Sequence, residues 1–209
     1  MKIFAIGAHA DDVELGCGGS LLKWADEGHQ IVIHVVTDSA YSDPAGKLIR
    51  SKEAAKSEAE AAADILGAQL IIGNFACFDI SGETASLGTS LTGLIGVEQP
   101  DVVLTHWVGD SHADHRAIAF ATRHAARRVP TVLEYRSNWY PGSQPFDARV
   151  VVDISETLEG KVELIRLFRS ENKRTGGVWE GQVRAEAMST GFPHNLAAAE
   201  SFSAVSVRL

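Results

Sequence analysis

Apolar positions along the first half of the chain switch between short unbroken runs and helical spacing. Ile3 to Ala8 is a short apolar run ending at Gly7-Ala8-His9, and it predicts a buried strand. Gly19 to Glu27 carries Leu21, Leu22 and Trp24 and stops at Gly28, which predicts a helix. Ile31 to Val36, rich in β-branched residues, predicts a second buried strand. A polar loop follows from Asp38 to Gly46. From about Leu48 to Leu66 an alanine-rich stretch predicts a long helix closed by Gly67. Leu70 to Ile72 gives a third strand, Ser90 to Val97 a weaker helix, and Val102 to Leu104 a fourth strand. Ala113 to Arg128 then reads as a helix.

Further on, Thr131 to Tyr135 and Val150 to Ile154 predict strands, and Ser155 to Phe168 a helix. The tail suggests one more helix, Val178 to Met188, and a final strand, Phe202 to Val207. Strands alternating with helices of this length imply βαβ crossovers. The expected fold is α/β, a Rossmann-like three-layer sandwich whose central sheet is mostly parallel. Ligands of such sheets bind beyond the carboxyl ends of the strands. With no repeat, low-complexity tract or linker to divide it, the stretch 1–209 is expected to form a single domain.

Composition narrows the function. At 45% hydrophobic residues the chain can bury a core without crosslinks, and its two cysteines, Cys17 and Cys77, lack CxxC spacing. The N-terminal apolar run breaks into two aspartates, unlike a signal peptide, and no stretch approaches a membrane span. A reducing, cytoplasmic setting is expected. Net charge is −8 with no basic block, which argues against nucleic acid as a partner.

Two polar segments follow predicted strands. His9-Ala10-Asp11-Asp12 comes after the first, and His106 to His115, which contains His112-Ala113-Asp114-His115, comes after the fourth. A catalytic zinc takes about three nitrogen or oxygen ligands and keeps a position for water. His9 and Asp12, three residues apart, can converge on one ion, and either His112 or His115 can complete the set. Asp11, projecting away from the metal, can take the proton of a metal-bound water. The remaining histidine can donate to the developing oxyanion and protonate a leaving amine. His106 and Asp110 lie in the same loop and serve equally well as structural hydrogen-bonding groups. His29, His34 and His124 lie on predicted elements without convergent partners and read as structural.

The pair Ala8-His9-Ala10-Asp11-Asp12 and His112-Ala113-Asp114-His115 resembles the LmbE-like (PIG-L) family of zinc-dependent N-deacetylases. That family's pattern is A-H-P-D-D followed by H-x-D-H, so Ala10 stands where the family has proline. The resemblance implies one zinc ion held by His9, Asp12 and His115. It implies Asp11 as general base, His112 as acid or carbonyl-polarising group, and Asp114 as a residue that orients a histidine. Gly16, Gly18 and Gly19 match glycines after the family's first motif, Leu66-Gly67 its middle segment, and Ala199-Glu200-Ser201-Phe202 its A-E-x-F pattern. A family arginine before the middle helix contacts substrate, and Arg50 is the candidate here, with Lys52 or Lys56 as substitutes. The implied substrate is a small N-acylated sugar or sugar conjugate, and a homo-oligomer is compatible with the reading.

Trp107, Trp139 and Tyr140 follow predicted strands and are candidates for stacking on a sugar ring, though aromatics there pack the core as often. His194, in Gly191-Phe192-Pro193-His194-Asn195, is a candidate for reaching substrate from the C-terminal segment. Competing readings are an amidase acting on a non-sugar conjugate, a nucleotide-binding module, an iron oxygenase and a metal-stabilised binding protein. The glycine run Gly16-Cys17-Gly18-Gly19 lacks G-x-G-x-x-G spacing, and two carboxylates stand where a pyrophosphate would sit. Two histidines and a carboxylate also suit iron, but Asp11 and His112 fit acid–base hydrolysis better.

Overall fold

The computed structural model describes residues 1–208, so the last residue of the expected domain lies outside the described residues. Nine strands and seven α-helices follow one another among them. Seven strands form one sheet in the order β5-β2-β1-β6-β7-β9-β8. These are β1 (Lys2–Gly7), β2 (Gln30–Thr37), β5 (Gln69–Phe75), β6 (Val102–His106), β7 (Thr131–Tyr135), β8 (Val150–Asp153) and β9 (Ala199–Val207). The first five to pair, from β5 to β7, are parallel. β9 runs antiparallel to both β7 and β8, so the sheet is mostly parallel, as expected, and its parallel part carries the two polar motifs.

Alternating side chains divide into two cores, as a sheet covered on both faces requires. Ile3, Ala5, Ile31, Ile33, Leu104 and Leu133 pack into one core. It is shared with α1 (Asp12–Asp26), α2 (Lys52–Leu66), α5 (Leu158–Leu167) and α7 (Trp179–Gly191). Phe4, Ile6, Val32, Val36, Val103 and Val132 point the other way, to the core closed by α3 (Thr84–Glu98) and α4 (Ala113–Ala125). No described helix is long and apolar enough to cross a membrane.

Four local expectations change. Leu48–Arg50 is a strand, β4, paired with β3 (Tyr41–Ser42), and α2 begins only after Ser51, whose hydroxyl accepts the Ala54 N–H at 3.2 Å. The N-cap and the hairpin together override the helical propensity of the preceding residues. Helix α1 starts at Asp12, seven residues before the predicted Gly19, with a non-helical break at Cys17 (φ −145°, ψ 16°). Helix α3 starts at Thr84 rather than Ser90. A short helix, α6 (Arg169–Thr175), continues where the fifth was expected to end, closed by Gly176 in the left-handed region at φ 70°.

Candidate active site

Strand β1 pairs with β2 on one side and β6 on the other. The chain leaves β1 into α1 over one face and leaves β6 into α4 over the other. The carboxyl ends of β1 and β6 therefore diverge and open a crevice where strand order reverses. Both polar motifs empty into that crevice.

Asp12, at the start of α1, is the hub. Its Oδ2 accepts the His9 backbone N–H at 2.7 Å and lies 3.3 Å from His9 Nδ1. Its Oδ1 accepts the Ser137 hydroxyl at 2.8 Å and lies 3.3 Å from His115 Nε2. The far nitrogen of each ring is tied to a buried carboxylate: His9 Nε2 to Asp114 Oδ2 and His115 Nδ1 to Asp110 Oδ2, both at 3.1 Å. Those bonds set the tautomers and leave His9 Nδ1 and His115 Nε2 as lone-pair donors facing Asp12. The ligand atoms of His9, Asp12 and His115 lie within 4.8 Å of one another. Two imidazoles, one carboxylate and carboxylates behind both rings suit a divalent zinc-type cation.

Without a cation the same charges hold protons. Burial alone would lower the pKa of His115, but the Asp12 and Asp110 carboxylates raise it to about 9. His9 is likewise raised against its burial by Asp114 and Asp12. Asp12 is held low, against its burial, by His115 and His106. A cation would take the place of these protons.

His112 caps α4, and its Nδ1 accepts the Asp114 N–H at 3.2 Å. In the neutral ring the proton must then sit on Nε2. Burial, with the neighbouring His115 and His9 charges, lowers its pKa to about 4, so the ring is a neutral donor near pH 7. Asp11 is 7% exposed and lies 3.1 Å from Arg50 Nη1. Burial, reinforced by the negative charges of Asp12 and Glu171, raises its pKa against the pull of Arg50. On one cavity, a raised carboxylate can accept a proton and an uncharged imidazole can donate a hydrogen bond to developing negative charge.

These groups line a cavity of about 820 Å³. Of the remaining predicted contacts, Arg50 reaches the cavity but is 2% exposed, with its guanidinium bonded to Ala10, Asp11 and Glu58. Trp107, 4% exposed, packs on Phe146 and against Gly109 and Gly142 and is not among the cavity-lining residues. His194 is exposed in the short 3-10 turn Phe192–His194 and is not among the cavity-lining residues. His106 is wholly buried, accepts the Ala8 N–H at 2.9 Å and stacks on His115 with centroids 3.9 Å apart. It braces both motifs from beneath. Trp139 and Tyr140 do line the cavity, with Trp139 held by Glu186 at 2.7 Å.

Sequence reading missed the outer wall. Ser137 and Asn138 follow β7, and their signal was the one that exposed the other loops, polar residues just past a parallel strand. Glu171, Arg174, Trp179 and Gln182 come from α6 and α7, where nothing local marks them.

The glycines after the first motif have a steric cause. A Cβ on Gly16 would stand 2.1 Å from Tyr135 Cδ2, and one on Gly19 would stand 2.8 Å from Ile154 Cδ1. The break at Cys17 between them frees backbone groups that two buried side chains satisfy. Lys161 Nζ donates to Leu15 O at 2.7 Å, and Glu200 accepts the Gly19 and Ser20 N–H groups at 3.0 and 2.7 Å. The Ala199-Glu200-Ser201-Phe202 segment thus supports the helix whose first turn carries the motif.

Comparison with known proteins adds to this geometry. The family described as PIG-L: GlcNAc-PI de-N-acetylase matches residues 4–126. A protein of Escherichia coli (strain K12) named uncharacterized deacetylase YaiS is 37% identical over 145 residues, 66% of this chain and 75% of that protein. The diacetylchitobiose deacetylase of Thermococcus kodakarensis is 26% identical over 208 residues, 91% of this chain and 78% of its own. Among solved structures, the N,N'-diacetylchitobiose deacetylase of Pyrococcus horikoshii superposes with a TM-score of 0.81. Its identity is 23%, and the match covers 98% of this chain and 83% of that one.

Proposed function

The chain belongs to the PIG-L family of N-deacetylases, and from that membership we propose a zinc-dependent hydrolase that removes an N-acetyl or other N-acyl group from an amino sugar or sugar conjugate. Residues 1–209 act as a single domain in this reading. The observation that carries it is the convergence of two carboxylate-backed histidines, His9 and His115, on Asp12, with Asp11 and His112 beside them on one cavity.

His9, Asp12 and His115 would hold the ion. When bound, zinc supplies Lewis acidity that polarises the amide carbonyl and makes water more acidic. Asp11 accepts the proton of the attacking water at its carboxylate. His112 donates its Nε2 hydrogen to the amide oxygen as negative charge builds there. The proton held by Asp11 then passes to the amide nitrogen as the carbon–nitrogen bond breaks, leaving a carboxylic acid and an amine, while His112 remains a hydrogen-bond donor to the oxygen. Asp110 and Asp114 hold the ligand rings in register. Tyr41, Trp139, Tyr140 and Trp179 offer flat apolar faces beside polar Asn138, Arg174 and Gln182, a lining suited to a sugar ring with its hydroxyls.

The test is acetate release from a panel of N-acetylated sugars and sugar conjugates by the zinc-loaded protein. Asp11→Asn should keep its zinc and lose about 10²- to 10⁴-fold in turnover, the usual worth of a general base. Turnover by the metal-stripped protein, or by Asp11→Asn, at the wild-type rate would defeat the assignment.

A further inference from the structure

Arg50 ends β4, and although charged its side chain is only 1% exposed. Its Nη1 donates to the Ala10 carbonyl at 2.8 Å and to Asp11 Oδ2 at 3.1 Å. Its Nη2 donates to Glu58 Oε2 at 2.8 Å. Glu58 is fixed in turn by Ser170, at the start of α6, whose backbone N–H and hydroxyl both reach it at 2.8 Å. The chain of contacts runs from α6 through α2 and β4 to the head of α1.

Asp11 is the residue at the end of that chain, and its backbone is strained. It sits at φ 135°, ψ −26°, a region that side chains with a Cβ avoid, and its carboxylate makes no cap bond to α1. Strain of this kind persists only where neighbours over-determine it. The two groups that Arg50 grips, the carbonyl just before Asp11 and the Asp11 carboxylate, lie on either side of the strained torsion.

We infer that Arg50 is a positioning residue, which holds the general base at its working angle by clamping Ala10 and Asp11, with Glu58 and Ser170 fixing the clamp. Both terminal nitrogens are spent on this, and only Nε lacks a partner. The competing role, an anchor for substrate through Nε, makes a different kinetic prediction. The inference rests on Asp11 being the base, as proposed above.

The test compares Arg50→Ala, Arg50→Lys and Glu58→Ala, each first checked by circular dichroism for a wild-type fold and for its zinc content. Arg50→Ala should lose about 10²-fold in kcat with KM within about threefold, as a base displaced by roughly an ångström does. Arg50→Lys should recover little, because one ammonium cannot hold the Ala10 and Asp11 acceptors, which share Nη1, and also Glu58, which takes Nη2. Added guanidinium chloride should restore part of the Arg50→Ala turnover, and Glu58→Ala, remote from the metal ligands, should show a smaller kcat loss of the same kind. A rise in KM of about tenfold or more at unchanged kcat would overturn the inference in favour of a substrate anchor. A crystal structure of Arg50→Ala decides the point without turnover: Asp11 should leave positive φ, and an unmoved Asp11 overturns the clamp. Failure of wild type to act on any substrate would count against the deacetylase reading alone, since that structural comparison would still stand.

Discussion

Replacing Lys161 by methionine keeps the length and apolar stem of the side chain and removes one buried charge. The ammonium donates to Glu200 Oε1 at 2.5 Å and to Leu15 O at 2.7 Å, and the two side chains are 6% and 4% exposed. Without it, Glu200 retains the Gly19 N–H, the Ser20 N–H and the Ser20 hydroxyl, but its charge is no longer balanced. Leu15 O loses its side-chain partner at the break in α1. Breaking a buried pair from one side costs about 3–5 kcal/mol, most of it the stranded charge. The segment of α1 that resumes beyond the break at Cys17 offsets about 0.3–1 kcal/mol of that, while the uncapped carbonyl adds about 1–3 kcal/mol. A net loss of about 3–8 kcal/mol is expected.

Unfolding entropy of about 2.1 cal/mol/K per residue over 209 residues is about 0.44 kcal/mol/K, so the melting temperature should fall by about 7–18 °C. Differential scanning calorimetry measures it directly. Lys161→Met combined with Glu200→Met should recover most of the loss, because an apolar pair replaces a stranded charge. A drop of less than about 2 °C in the single variant, or a double variant as unstable as the two single losses added together, would refute the reasoning.

Other substitutions probe separate links. His115→Ala should lose both bound zinc, read by elemental analysis, and acetate release, since it removes a ligand rather than an acid or base. Asp110→Asn keeps an acceptor near His115 Nδ1 but removes its charge, and should weaken zinc binding by about 10- to 100-fold in a chelator competition. Gly16→Ala drives a methyl into the Tyr135 ring, whose hydroxyl is bonded to Ile6 O at 2.8 Å. A stability loss of about 1–3 kcal/mol by urea unfolding is expected there, the ordinary cost of overpacking.

Most of the sheet was legible because its signal is local. Residues 3–6, 31–36 and 102–104 alternate between two buried faces, and such strands read as largely apolar runs. The misread stretches are those where a neighbour outweighs propensity. Leu48–Arg50 pairs with Tyr41–Ser42 before Ser51 caps the helix, and the direction of β9, antiparallel between β7 and β8, has no signal in its own residues. The glycines at 16 and 19 could be matched to a family pattern, but only Tyr135 and Ile154, more than a hundred residues away, explain them.

The chain's own order of residues determined the donors and their local spacing: His9 three residues before Asp12, His112 three before His115, each just beyond a strand. Spacing of that kind is local geometry and needs no knowledge of the fold. What tertiary structure alone decided is which groups stand behind and around them. Strand β6 lies directly against β1, so Asp114 reaches His9 and Asp12 reaches His115 across about a hundred residues. The same packing buried Trp107, left His194 outside, spent Arg50 on Asp11, and built the outer wall from α6 and α7. Contacts of that range depend on strand order and helix docking, which sum over the whole core and leave no mark at any one position.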